Sequence, residues 1–138
     1  MSEKISIFVE NAPTPYGHFT QAIKVENHVC ISGQLPLKPE ENVLVGDDIE
    51  SQAKAVFHHL TAIMQGCTGQ LSNITIVRFY LTDLSDHEAV DKVSREFFYF
   101  VPPARTVVQV AALPFGAKVM VEAEAELNPV EFKGGRML

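Results

Sequence analysis

The alternation of apolar and polar positions divides the 138 residues into six strand-like and two helical segments. A short strand is predicted over Ile5 to Val9, ended by Asn11 and the Pro13-Thr14-Pro15 turn. A second, Phe19 to Val25, and a third, His28 to Ser32, flank Glu26-Asn27, the spacing of a two-residue hairpin. Gly33, Pro36 and Pro39 then impose a loop to about Gly46. Asp47 is read as the start of a helix, with Glu50 as its capping-box partner. Ile49, Ala53, Val56, Phe57, Leu60, Ile63 and Met64 recur at three- and four-residue steps, one apolar stripe, and Gly66 is the expected stop. Ile74 to Leu81 is a further strand. Ser85 and Glu88 repeat the capping box ahead of a second helix with the stripe Val90, Val93, Phe97 and Phe98, ended by Pro102.

Two prolines, Pro103 and Pro114, bracket an apolar, β-branched fifth strand. Period-two alternation puts Arg105, Val107, Gln109 and Ala111 on one face, and Thr106, Val108, Val110 and Ala112 on the other. The sixth strand, Lys118 to Leu127, turns Val119, Val121, Ala123, Ala125 and Leu127 one way, and Met120, Glu122, Glu124 and Glu126 the other. The order β-β-β-α-β-α-β-β predicts an α+β fold, a mixed sheet with two helices on one face. One domain is expected over residues 1–138, with its core over about 10–128 and a loosely held polar tail, Pro129 to Leu138. The uncovered sheet face should carry the valines and Gln109 of the fifth strand beside the carboxylate ladder of the sixth. Such a half-apolar face calls for cover by another chain.

Charge narrows the partners. A net charge of −6 without any Lys/Arg cluster disfavours nucleic acid. No apolar run reaches the roughly 20 residues of a membrane span, and the N-terminus lacks the pattern of a signal peptide. Two cysteines are too few for a disulfide framework, which points to a reducing compartment, the cytosol by default, without excluding mitochondria.

Candidate chemistry is sparse. There is no phosphate-binding glycine loop, no zinc-type Cys/His spacing and no nucleophile elbow, so no metal and no cofactor is expected. Cys30 is read as a buried, inert thiol. His58 and His59 are adjacent, cannot share a metal, and are both read as helix-face residues. Arg105, at a strand mouth, is a planar fork suited to a carboxylate, or else a surface arginine at a strand end or one paired to a neighbouring Glu. The glutamates 122, 124 and 126 are either a general acid/base row or a solvated strand face.

Several segments, taken in order, carry a resemblance: Asn11-Ala12-Pro13, Gly17-His18-Phe19-Thr20-Gln21-Ala22, Ile31-Ser32-Gly33-Gln34-Leu35-Pro36, Gln52, Thr82-Asp83-Leu84-Ser85-Asp86, Phe97-Phe98, Pro103-Ala104-Arg105-Thr106, Val110-Ala111-Ala112-Leu113-Pro114 and Gly116-Ala117-Lys118-Val119. Over roughly residues 10 to 126 the chain resembles the RidA family, also called YjgF or L-PSP endoribonuclease-like. The resemblance implies a chorismate mutase-like fold, a homotrimer, and sites in clefts between subunits. It implies hydrolysis of reactive 2-imino and 2-enamino acids to 2-keto acids and ammonia. Arg105 matches the arginine that grips the substrate carboxylate, and Ser32 and Gly33 match the segment lining the site.

The departures are specific. Met120 stands where the family has the glutamate that activates water. Phe19 stands where many members carry Tyr, Asp91 where many carry Asn, and Val107 where active members often carry Cys. The segment between Phe98 and Pro102 is shorter than in many relatives. Glu122 is a possible substitute for the missing glutamate, two residues along the same strand face, about 6.6 Å away at ~3.3 Å per residue. Three functions are therefore carried forward: an imine deaminase, a trimer that binds small carboxylates through Arg105 without turnover, and an endoribonuclease or translation inhibitor. The acidic composition counts against the last.

Overall fold

The computed structural model describes residues 3–128, so the expectation for the tail at 129–138 lies outside the described residues. Six strands, β1 (Lys4–Ile7), β2 (Ala22–Val25), β3 (His28–Gln34), β4 (Ile74–Leu81), β5 (Ala104–Gln109) and β6 (Val119–Glu126), form one sheet in the order β1-β2-β3-β6-β4-β5. All pairings are antiparallel except β4 with β5, whose connection runs through α2 (His87–Phe97). Two parallel neighbours need such a crossover. The longer helix, α1 (Ile49–Gly66), links β3 to β4.

Both helices pack on one face. The alternation of β6 is realised in full: Val119, Val121, Ala123 and Ala125 are buried and the residues between them half-exposed. Phe57 of α1 is the hub, edge-on to Phe79 of β4 at 5.8 Å and to Phe98 at 5.9 Å, and stacked on Phe97 of α2 at 5.3 Å. Burying such a ring gives roughly 2–3 kcal/mol, and each aromatic pair adds about 0.5–1.5 kcal/mol. Among the described residues no helix is long and apolar enough to cross a membrane. The result is the chorismate mutase-like α+β arrangement, one mixed sheet with two helices on one face.

Several local expectations are corrected. β2 starts at Ala22 rather than Phe19, because Gln21 is buried and ties down the preceding turn: it accepts from Val9 N and donates to the carbonyls of Val9, Ala12 and Pro13. Asp48, not Asp47, caps α1, accepting from Ser51 N at 2.9 Å. Gly66 is the last residue of α1, as expected, though not through a left-handed backbone: a Cβ there would clash with Val9 Cγ1, and the left-handed residue after the helix is Thr68, with φ of 61°. Ser85 and Glu88 form no capping box; Asp83 accepts from Ser85 N and Oγ and closes a short turn ahead of α2. β5 ends at Gln109, short of Ala112.

The largest correction concerns β5. Its register pairs Arg105 with Val77, Val107 with Phe79 and Gln109 with Leu81, all helix-facing residues of β4. Parallel partners share a face, so Arg105, Val107 and Gln109 lie on the helix side. The uncovered face receives Thr106 and Val108 instead, in line with Arg78 and Tyr80 of β4 and with Glu122 and Met120 of β6.

Candidate functional site

Two concavities hold the sequence candidates, one on each side of the sheet. The first, about 350 Å³, lies on the uncovered face and is lined by Phe19, Ser32, Gly33, Met120 and Glu122, together with Tyr16 and Tyr80. Met120 and Glu122 are neighbours on one face of β6, and Tyr80 sits opposite Met120 on β4. Ser32 is fixed by donating its hydroxyl to Thr20 O at 2.7 Å. Gly33 and Met120 are in close approach: a Cβ on residue 33 would stand 2.7 Å from Met120 Sδ, so the thioether would have to move. The thioether in turn packs on the small cluster of Leu35, Leu37 and Ala117. Where the resemblance expects a carboxylate, the wall is apolar and can neither give nor take a proton.

Two tyrosines line this cleft from positions the sequence reading missed. Tyr80 donates to Glu122, and that bond, partial burial and the carboxylate's charge push the phenol above its usual range. Tyr16 packs edge-on to Phe19 at 5.0 Å and to Phe115 at 5.3 Å. Phe115 has φ of 62°, a left-handed backbone that is costly for an aromatic residue. Tyr80 was findable: strict alternation through Arg78-Phe79-Tyr80-Leu81 sets it with Arg78, away from the core.

The second concavity, about 740 Å³, lies between α2 and the start of β5 and includes Asp91, Arg95, Phe98, Tyr99 and Arg105. Arg105 Nη1 donates to one oxygen of Asp91, and Arg95 Nη2 lies 2.7 Å from the other. Arg105 thus has an acidic partner, as the plainer reading allowed, but it is Asp91 of α2 rather than a glutamate. Its guanidinium keeps further donors for a second anion. Val107 is half-buried against the core and lines neither concavity.

One chain therefore does not bring Arg105 and Asp91 together with Phe19, Ser32, Gly33, Met120 and Glu122; the groups lie on opposite sides of the sheet. The rest of the uncovered face mixes apolar residues such as Val25 and Val108 with paired charges. Arg78 holds Glu124 at 2.6 Å, and this bond keeps the Glu124 carboxyl below its ordinary range. Cys30 is exposed, not buried, because it shares this face. His58 is exposed as expected, but His59 is buried, with Nε2 at 2.9 Å from Leu37 O.

Known proteins match this arrangement along nearly the whole described chain. The family model described as Endoribonuclease L-PSP matches residues 9–127. A RutC family protein of Pyrococcus abyssi is 40% identical over 119 residues, 86% of this chain and 92% of that one. A 2-iminobutanoate/2-iminopropanoate deaminase of Dermatophagoides farinae is 33% identical over 123 residues, 89% of this chain and 96% of that one. The crystal structure of RidA from an Antarctic Psychrobacter species superposes with a TM-score of 0.85 at 38% identity, covering 88% of this chain and 98% of that one. With sequence, fold and coverage in agreement, the chain belongs to the RidA (L-PSP endoribonuclease-like) family.

Proposed function

We propose that this protein hydrolyses reactive 2-imino acids to 2-keto acids and ammonia, slowly, in a cleft that two copies of the chain complete. The observation that carries this reading is the division of the candidate residues between opposite sides of one sheet, each group in its own concavity. The uncovered, half-apolar sheet face supports a homotrimer in which Arg105 of one chain faces the Met120–Glu122 cleft of the next. A relative carrying the deaminase name supports the chemistry.

In this scheme Arg105 grips the substrate carboxylate and sets the imine carbon against the cleft wall. The protonated imine is already electrophilic. Water adds to its carbon; a new C–O bond forms and the water proton passes to Glu122. Glu122 is held for this by the hydroxyl of Tyr80. Glu122 returns that proton to the carbinolamine nitrogen, which leaves as ammonia with the C–N electron pair, and the hydroxyl proton passes through Glu122 to the departing ammonia as the keto group forms. Met120 supplies no proton transfer, so the rate falls short of a site with a carboxylate at that position by about 10²–10⁴.

The test is ammonia release from a freshly generated 2-imino acid. Slow but enzyme-dependent release that Glu122→Gln and Tyr80→Phe each reduce at least about tenfold supports the scheme. Release as fast as in relatives, or unaffected by Glu122→Gln, overturns the assignment of Glu122. A second reading, a trimer that binds small carboxylates without turnover, is favoured by the Met120 wall; it predicts 2-keto acid binding with no ammonia release at all. A monomer mass in sedimentation equilibrium at micromolar concentration removes the shared cleft from both. RNA cleavage is disfavoured by the net charge of −6.

A further inference from the structure

A cluster the deaminase scheme does not use lies at the other end of the uncovered face. His28 and Cys30 are two apart on β3 and so point the same way. The β3–β6 register sets His28 opposite Glu126 and Cys30 opposite Glu124. One donor atom each from His28, Cys30 and Glu124 lies within 4.8 Å of the others. We propose that these three side chains form a binding site for a first-row divalent cation of the zinc(II) type.

The donor set fits that ion. A thiolate, an imidazole and a carboxylate are its ordinary ligands, with a fourth position for water. Bonds of about 2.0–2.3 Å in a tetrahedron hold donors roughly 3.3–3.8 Å apart. The cluster must contract by about 1 Å, which exposed side chains reach by small rotations. The surrounding contacts orient the donors. Glu124 turns Oε2 to Arg78 at 2.6 Å and leaves Oε1 beside His28 Nε2 at 3.1 Å. His28 turns Nδ1 toward Glu126 Oε2 at 3.8 Å. At 3.8 Å this is a charge contact, not a hydrogen bond; a small rotation would let Nδ1–H donate to Glu126 once Nε2 turns to the ion, which completes a carboxylate–histidine–metal arrangement.

Binding exchanges one bond for another without oxidation or reduction. The Cys30 S–H bond breaks, the proton goes to solvent, and a sulfur–metal bond forms. Because the thiol must lose its proton to bind, binding weakens as pH falls. The other charged groups that the strands carry on this face, among the described residues, are Lys4, Arg78, Glu122 and Glu126; β2 offers only Ile23 and Val25 beside Cys30 and His28. All three ligands belong to one chain, so the site stands or falls independently of the deaminase reading.

The experiment is titration of tag-free full-length protein with cobalt(II), followed by zinc(II) competition. One cobalt per chain with a thiolate-to-metal charge-transfer band is expected. Cys30→Ser should abolish the band, and Glu126→Gln should weaken binding about 10–100-fold. No band, or a band retained in Cys30→Ser, overturns the site. Should that variant fail to fold, alkylation of Cys30 in the unaltered protein decides: zinc must slow it, and an unchanged rate overturns the proposal.

Discussion

Met120 occupies the space that a side chain at residue 33 would need, with its Sδ 2.7 Å from where a Cβ on Gly33 would stand. The two positions therefore set the shape of the cleft together. Gly33→Ala must push the thioether aside. Because the obstruction is a flexible side chain, stability should fall by no more than about 1–3 kcal/mol. Carboxylate binding in the same cleft should weaken far more in proportion, a contrast that melting and calorimetry on one sample can read.

Met120→Glu should raise ammonia release at least about tenfold, recovering part of the roughly 10²–10⁴ that a positioned acid/base supplies. Both side chains are unbranched and similar in length, so β6 should keep its register. The double change with Phe19→Tyr should recover more, since Phe19 lines the same cleft. Steady-state rates of the three variants against the unaltered chain check the order.

Asp91 stands between Arg95 and Arg105 and neutralises part of the charge that an incoming carboxylate would meet. Asp91→Asn should tighten 2-keto acid binding, whereas Arg105→Ala should cost about 2–5 kcal/mol of it. Isothermal calorimetry separates the two directions, and an equal loss in both variants would show that Asp91 orients Arg105 rather than masking it.

His59 predicts a pH dependence of stability. Burial, opposed by its bond to Leu37, lowers the imidazole from 6.5 to about 4. Unfolded chains take up that proton near pH 6.5 and the folded protein only near pH 4, so the unfolded state binds more protons in between. This contribution is whole above about pH 6.5 and drains away as pH falls toward 4, by up to about 3 kcal/mol. His59→Gln should flatten the urea midpoint over that window.

Gln52 is buried and joins three segments: its Oε1 accepts from Lys118 N and its Nε2 donates to Gly46 O, both at 2.8 Å. Gln52→Leu leaves both backbone groups unpaired and should cost about 2–3 kcal/mol in denaturant unfolding.

What the sequence revealed and what it hid follow one physical division. The stripe of α1 and the alternation of β6 were legible because each contrasts apolar with polar positions at a fixed period. β5 has no such contrast: Val107 and Val108 are consecutive, and only pairing with Phe79 and Tyr80 decides which of them faces the helices. Arg105 followed Val107 to the helix side for that reason. Cys30 looked buried from its apolar neighbours Val29 and Ile31, which do face the core, while its own side chain alternates outward. The His28–Cys30–Glu124 cluster joins the third strand to the last, so no spacing along the chain could announce it. The family motifs located Phe19, Ser32, Gly33 and Met120 in one cleft, but Tyr16 and Tyr80 belong to none of them.

The placement of Arg105 and Glu122 on opposite sides of one sheet makes each chain, on the deaminase reading, both donor and recipient. Two inactive variants, Arg105→Ala and Glu122→Gln, should then complement each other when dissociated and reassembled in equal amounts. Random assembly gives about one cleft in four with both residues intact, and ammonia release should return to about that fraction. The same arithmetic makes a single defective copy in a mixed population spoil clefts beyond its own.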